Sequence, residues 1–250
     1  MNQPKMIFNA DDLGMSADID NEILSAANCG FIQSASISVI NGLDGDQFKK
    51  FLNLKHPLQL GLHINLTEGS LLSPTSRIAN LVNSCGTFKS AIELLSNEQN
   101  LREEMLYMEM KAQLDRFIQL SGSKPNHIDS HQHYTFLSPI TFSAFLKLAK
   151  SENIKIRNPR PFLDEHCLKF FVESVRSRYG ISIPFSPGKR SQELRSIFNT
   201  SQAEVRTENC LTAIPSKKEL DEALRFSKTI EVVCHPHDST DAKKLKLLHQ

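Results

Sequence analysis

Asp11 and Asp12 stand side by side in the stretch FNADDLGMS, directly after a short apolar run, although adjacent like charges repel. Such a pair suits a division of labour in which one carboxylate holds a cation and the other takes a proton from a water acidified by that cation. The cation offsets the repulsion and lets both groups stay ionised. Imidazoles occur where a site of this kind needs them: His63 in GLHINL, His127, His131 and His133 in HIDSHQH, and His235 in VVCHPHD. Asp, His and His are ligand types for a divalent ion of the zinc, iron, manganese or magnesium kind, with positions left for water and substrate. Residue types alone leave open which aspartate is ligand and which is base. In an extended HIDSHQH, residues 127, 129, 131 and 133 share one face, so His131 and His133 are equal candidates for the second imidazole ligand. Asp129 suits the task of orienting an imidazole from behind, and His127, further back, supports the site or the strand. His235, ahead of Pro236, is placed to protonate a leaving amine or alcohol.

Five short apolar runs alternate with amphipathic stretches up to residue 180. KMIFNA reads as a first strand and ADIDNEILSAANCG as a helix closing on Gly30. SASISVI is a second strand, DGDQFKKFLNLK a helix, and LQLGLHINL a third strand. In that third strand Leu58, Leu60, Leu62, Ile64 and Leu66 form one apolar face, which puts His63 and Asn65 together on the other. Asn65 is therefore a candidate to support the ligands or touch substrate. Residues 70–88 read as loop and short helix, and NLREEMLYMEMKAQLDRFIQLSG as a long helix. Glu103, Glu104 and Glu109 in its first half and Lys111 and Arg116 later suit the helix dipole. KPNHIDSHQ is a fourth strand, PITFSAFLKLAKSEN a helix, IKIRNP a fifth strand and LDEHCLKFFVESVRSRYG a helix. Residues 181–210, with FSPGKRS inside them, give no clear element. SKKELDEALRFSK is a helix with a serine cap, and TIEVVCHP the last strand. Repeated strand-helix units predict an α/β fold with a parallel sheet, open or closed into a barrel. The site then lies at the C-terminal ends of the strands, where Asp11, Asp12, His63, the HIDSHQH cluster and His235 all fall.

The 250 residues, 40% of them hydrophobic, suffice for one domain spanning 1–250. Twenty-nine basic residues against 28 acidic ones, without long blocks of either sign, argue against nucleic acid or an anionic membrane as partner. No apolar run reaches the roughly 18 residues of a membrane span, and no leader pattern opens the chain, so a cytoplasmic protein is expected. Cys29, Cys85, Cys167, Cys210 and Cys234 lack a CxxC pair and are expected as reduced, mostly buried thiols.

NADDLG at 9–14, GLHINLTEG at 61–69, HIDSHQH at 127–133 and CHP at 234–236 resemble, in that order, the motifs of the YdjC-like carbohydrate deacetylases, which include the chitooligosaccharide deacetylases. The resemblance implies a deformed β/α barrel of TIM type and a metal-dependent hydrolase that removes acetyl groups from N-acetylated sugars, releasing acetate. It also implies one divalent ion, Mg2+ or Zn2+, an acetylated sugar as substrate, and a homodimer. Carried over by position, Asp12, His63 and His131 match the metal ligands, Asp11 the general base and His235 the general acid. Arg157 in IRNPRP matches an arginine that orients the base, and Asp129, His133 and Asn65 remain as supporting or substrate-contacting residues. Two departures stand out: Thr135 replaces a histidine common in relatives, and the chain ends fifteen residues after His235, where relatives run on through another helix. Two rivals share these residue types. A metal-dependent phosphoesterase would need more ligands for a second ion, and a non-catalytic carbohydrate-binding protein would need no free base beside a metal carboxylate.

Overall fold

The alternation of apolar and amphipathic stretches becomes a parallel sheet wrapped by helices in the computed structural model, which describes residues 5–74 and 79–248. In chain order the elements are β1 (Lys5–Leu13), α1 (Ala17–Asn28), β2 (Ser34–Ile37), α2 (Gly45–Leu52), β3 (Gln59–Ile64), α3 (Ala91–Ser96) and α4 (Glu103–Ser121). There follow β4 (His127–Ser130), α5 (Pro139–Glu152), β5 (Lys155–Ile156), α6 (Arg160–Leu163) and α7 (Glu165–Tyr179). The last elements are α8 (Pro187–Ser201), β6 (Asn209–Leu211), α9 (Lys217–Phe226), β7 (Thr229–Cys234) and α10 (Ser239–Leu248).

The strands pair in the order β5-β4-β3-β2-β1-β7-β6, every pair parallel, and the sheet curls into a half-barrel. The segment just before β6 reaches across to β5, because the Ile156 amide donates to Glu204 O and the Arg206 amide donates to Ile156 O. Strand periodicity then sorts the side chains. Phe8, Ala10, Leu62, Ile64, Ile128, Ile230 and Val232 belong to the apolar core. Asn9, Asp11, His63, His127, Asp129 and Glu231, at the alternate positions, are equally buried and polar. Parallel strands are usually apolar on both faces. Here one face is given over to a buried polar network, and the site grows out of it.

Several expectations change. HIDSHQH is not extended throughout: β4 ends at Ser130, and residues 131–136 form a 3-10 turn with Gln132 and His133 at φ of 52° and 53°. His131 and His133 therefore do not share a strand face. Glu109 does not complement a dipole from the surface. It is buried and accepts the Leu72 and Ser73 amides, anchoring the loop after β3. The segment 181–210 holds α8 and β6; its helix hides a polar contact, since buried Arg190 donates to Glu98 and to Leu137 O, which breaks the apolar pattern expected of a packed helix. The stretch STDAKKLKLL is helical as α10. Of the cysteines, Cys29, Cys85 and Cys167 are exposed and only Cys210 and Cys234 are buried; all five are free. Residues 75–78 of the expected 70–88 loop lie outside the described residues. Among the described residues, no helix is long and apolar enough to cross a membrane.

Candidate active site

A regular strand would point Asp11 and Asp12 to opposite faces of the sheet. β1 avoids this with a bulge: Ala10 pairs with Ala35 and Leu13 with Ile37, so β1 carries one residue more than β2 between these pairs. Asp12 takes a φ of 71°, in the left-handed region, which re-aims its side chain. Both carboxylates consequently line one cavity at the C-terminal end of the sheet.

Asp12 is 14% exposed, and its Oδ1 lies 2.8 Å from His131 Nδ1 and 3.2 Å from His63 Nε2. Asp12, His63 and His131 form a group compact enough to hold one ion, with one ligand atom from each all within 4.8 Å of one another. His63 presents Nε2 because its Nδ1 hydrogen-bonds Asp129 Oδ1 at 2.6 Å, its direct neighbour across the β3–β4 ladder. Burial opposes charge on His63, but the carboxylates of Asp129, Asp11 and Asp12 outweigh it and raise its pKa to about 10. Burial likewise opposes the Asp12 carboxylate, and the two imidazoles nonetheless hold it far below the usual carboxylate range. A cluster of anions that raises the pKa of both buried imidazoles provides the field a cation would neutralise. His131 Nε2 is buried without a hydrogen-bond partner, with Glu68 Oε1 3.5 Å away. Two imidazoles and one carboxylate form a donor set that suits zinc, whereas magnesium prefers oxygen ligands.

Asp11 has different neighbours. Arg157, fully buried, grips it with two hydrogen bonds of 2.7 and 2.6 Å, and Asn9 Nδ2 and Ser36 Oγ donate to it as well. The same guanidinium lies 2.6 Å from Asp129 Oδ2 and donates Nε to Glu231 Oε1 at 2.9 Å. Burial disfavours the Asp11 and Asp129 carboxylates, yet Arg157 overcomes this and leaves both pKa values lowered. Further donor groups occur at Asp11, His63 and Asp129 and at His127, Asp129 and Glu231. There Arg157 and Arg206 already supply the positive charge; Arg206 Nη1 is 3.6 Å from Glu231 and 3.0 Å from His127 Nε2. The geometry suits one ion rather than two.

His235 stands across the cavity, 37% exposed, with Nε2 4.0 Å from Asp12 Oδ2 and Nδ1 3.5 Å from Asp241 Oδ2. Burial lowers its pKa, but the Asp241 hydrogen bond and the Asp11 and Asp12 charges outweigh that and raise it. His133 lines the same cavity, packed against Phe162 and Phe171; burial and Arg157 push its pKa down to about 3, so it is neutral. Asn65 acts at a distance. Its Oδ1 accepts the Thr67 and Glu68 amides, which shapes the turn that carries Glu68 to His131. Thr135 is buried with its amide on Ser130 Oγ. Asn9, Ser36, Glu231, Arg206 and Asp241 were not singled out from the sequence. Glu231 had a readable signal, a lone acid inside the apolar run TIEVVC. The others lie on unremarkable polar positions that only the fold brings together.

A family model described as YdjC-like protein matches residues 5–248. The chain is 36% identical over 177 residues to "Carbohydrate deacetylase 2" of Listeria innocua serovar 6a, covering 70% of this chain and 69% of that protein. Over 231 residues it is 27% identical to "Chitooligosaccharide deacetylase" of Klebsiella pneumoniae strain 342, covering 92% of this chain and 81% of the relative. The crystal structure of a protein described as a candidate cellobiose-phosphate cleavage protein from Enterococcus faecalis V583 superposes with a TM-score of 0.71. That match covers 94% of this chain and 81% of the other at 21% identity, a likeness of fold.

Proposed function

The chain belongs to the YdjC-like protein family, and from that premise we propose that it is a metal-dependent deacetylase that hydrolyses the acetamido group of N-acetylated sugars. The observation that carries this reading is the split pair on β1: Asp12 converges with His63 and His131, while Asp11 faces the same cavity in the grip of Arg157. Relatives named carbohydrate and chitooligosaccharide deacetylase support the choice of substrate class.

Asp12, His63 and His131 would hold the ion, with zinc the better match to this donor set than magnesium. When bound, the ion would supply Lewis-acid chemistry to the acetyl carbonyl and the attacking water. Asp11 accepts the proton of the attacking water, and Arg157 keeps it ionised and fixed in direction. As the water oxygen bonds to the carbonyl carbon and the C–N bond breaks, His235 gives its proton to the departing nitrogen. The products are acetate and the free amino sugar.

The test is acetate release from N-acetylglucosamine and its short β-1,4 oligomers by the metal-loaded chain, with and without a chelator. Release that stops on chelation and returns with added zinc is expected. Turnover indifferent to chelation would reject the metal-dependent reading, and absence of release from every acetylated sugar would reject the deacetylase.

A further inference from the structure

The cavity of about 440 Å³ that contains Asp11, Asp12, His63, His131 and His235 is polar where the strand ends and the 131–133 turn line it. Its other wall is apolar. α3 contributes Ile92 and Leu95, α7 contributes Phe171 and Val175 one helical turn apart, and the segment after α7 adds Ile181 and Ile183. Leu95 is buried; Ile92, Phe171, Val175 and Ile183 are half-buried and Ile181 is 37% exposed, so this wall keeps apolar surface in contact with solvent. Apolar surface gathered in a concavity beside reactive groups is the mark of a binding site.

A bare sugar matches this wall poorly. Sugar hydroxyls need hydrogen-bonding partners, and these six side chains offer none. Sugar faces are commonly met by flat aromatic side chains, but the chain has no tryptophan, and among the described residues neither Tyr107 nor Tyr134 lines this cavity. Phe171, the one benzene ring among the described residues that line the cavity, is in edge contact with Phe162 and His133. What the wall does match is a run of methylenes, whose removal from water is favourable without any partner.

We propose that the substrate carries an aliphatic chain next to its scissile amide and that the wall formed by Ile92, Leu95, Phe171, Val175, Ile181 and Ile183 receives it. This deepens the deacetylase reading, on which it rests for the position of the amide. The chain has two chemical sources: the acyl group itself, if longer than acetyl, or an alkyl aglycone on the amino sugar.

Two substrate series separate the sources in the metal-loaded full-length protein. One extends the acyl group of N-acylglucosamines from acetyl to octanoyl, and the other extends the aglycone of alkyl N-acetylglucosaminides from methyl to octyl, all below their micellar concentrations. In one series kcat/KM rises about fourfold per added methylene over the first few, the factor expected for taking one CH2 out of water. Ile92→Asn and Val175→Asn, on separate helices, each flatten that slope. Calorimetric Kd values for both series accompany the rates. If no amide is cleaved but affinity still climbs with chain length in a manner lost in both variants, the deacetylase reading fails and the apolar subsite stands. If rates and affinities are flat or fall with chain length in both series, the apolar subsite is overturned whatever the turnover.

Discussion

Asp11 and Asp12 are chemically identical neighbours that differ in what surrounds them. Asp12 meets two imidazoles, whereas Asp11 meets a guanidinium, an amide and a hydroxyl. Asp11→Asn is expected to keep the ion and to lower kcat by about 10²-fold or more, the usual contribution of a positioned base. His63→Ala is expected to lose the ion itself. Steady-state kinetics with metal analysis on both proteins checks the pair, and near-normal turnover in the first or full occupancy in the second would reverse the assignment. His235 gives a pH prediction. Its proton must be present for it to act as acid, so activity falls as pH rises through its pKa, which Asp241 helps to hold up. Asp241→Asn should move the alkaline limb of the kcat/KM profile to lower pH; an unmoved limb assigns the acid elsewhere. The acid pair and the histidines were legible in the sequence because their types are unusual at strand ends. Arg157 was legible only as a position, since nothing in IRNPRP says that its charge is buried between carboxylates.

At the scale of elements, every strand but β6 and most helices followed from periodicity and caps. Ser216 with Glu219 forms the capping box of α9, as its serine suggested. Periodicity failed where backbone geometry departs from regularity, at the β1 bulge and at the left-handed pair Gln132 and His133. It failed again at α8, whose packed face includes Arg190. Close approach between elements makes its own prediction at Gly61 on β3. A Cβ there would lie 2.2 Å from His127 Cε1 and 2.5 Å from its Nε2. That ring is fully buried and held by Arg206, so it has nowhere to retreat. Gly61→Ala should destabilise by about 1–3 kcal/mol, as overpacking does. A urea midpoint equal to that of the parent would show that β3 and β4 separate without strain.

For the molecule as a whole, the polar interior of the half-barrel is one charge network whose centre is Arg157, contacting Asp11, Asp129 and Glu231 from β1, β4 and β7. Arg157→Met leaves those carboxylates buried without their counter-charge and should cost about 3–5 kcal/mol in urea unfolding. The pH dependence follows from the same contacts. Asp11 and Asp129 have folded pKa values below the ordinary 3.8, so their ionised forms stabilise the fold above that pH. The contribution is lost as pH falls through the lowered values. Without the guanidinium those values rise, and the acid loss of stability in Arg157→Met should begin at higher pH than in the parent. Coincident acid limbs would show that Arg157 does not govern the network.

Residue order alone determined the strand-helix alternation, the polar strand ends and the list of ligand types, because these depend on neighbours within a few positions. Tertiary structure decided the rest. Whether Asp11 and Asp12 face one cavity depends on a bulge set by pairing with β2, and which of them bonds to imidazoles and which to a guanidinium depends on His63 arriving from β3 and on His131 and Arg157 arriving from the turns after β4 and β5. Charge and hydrogen bonding act through space between residues as far apart in the chain as 11 and 157, so no local pattern could carry that information.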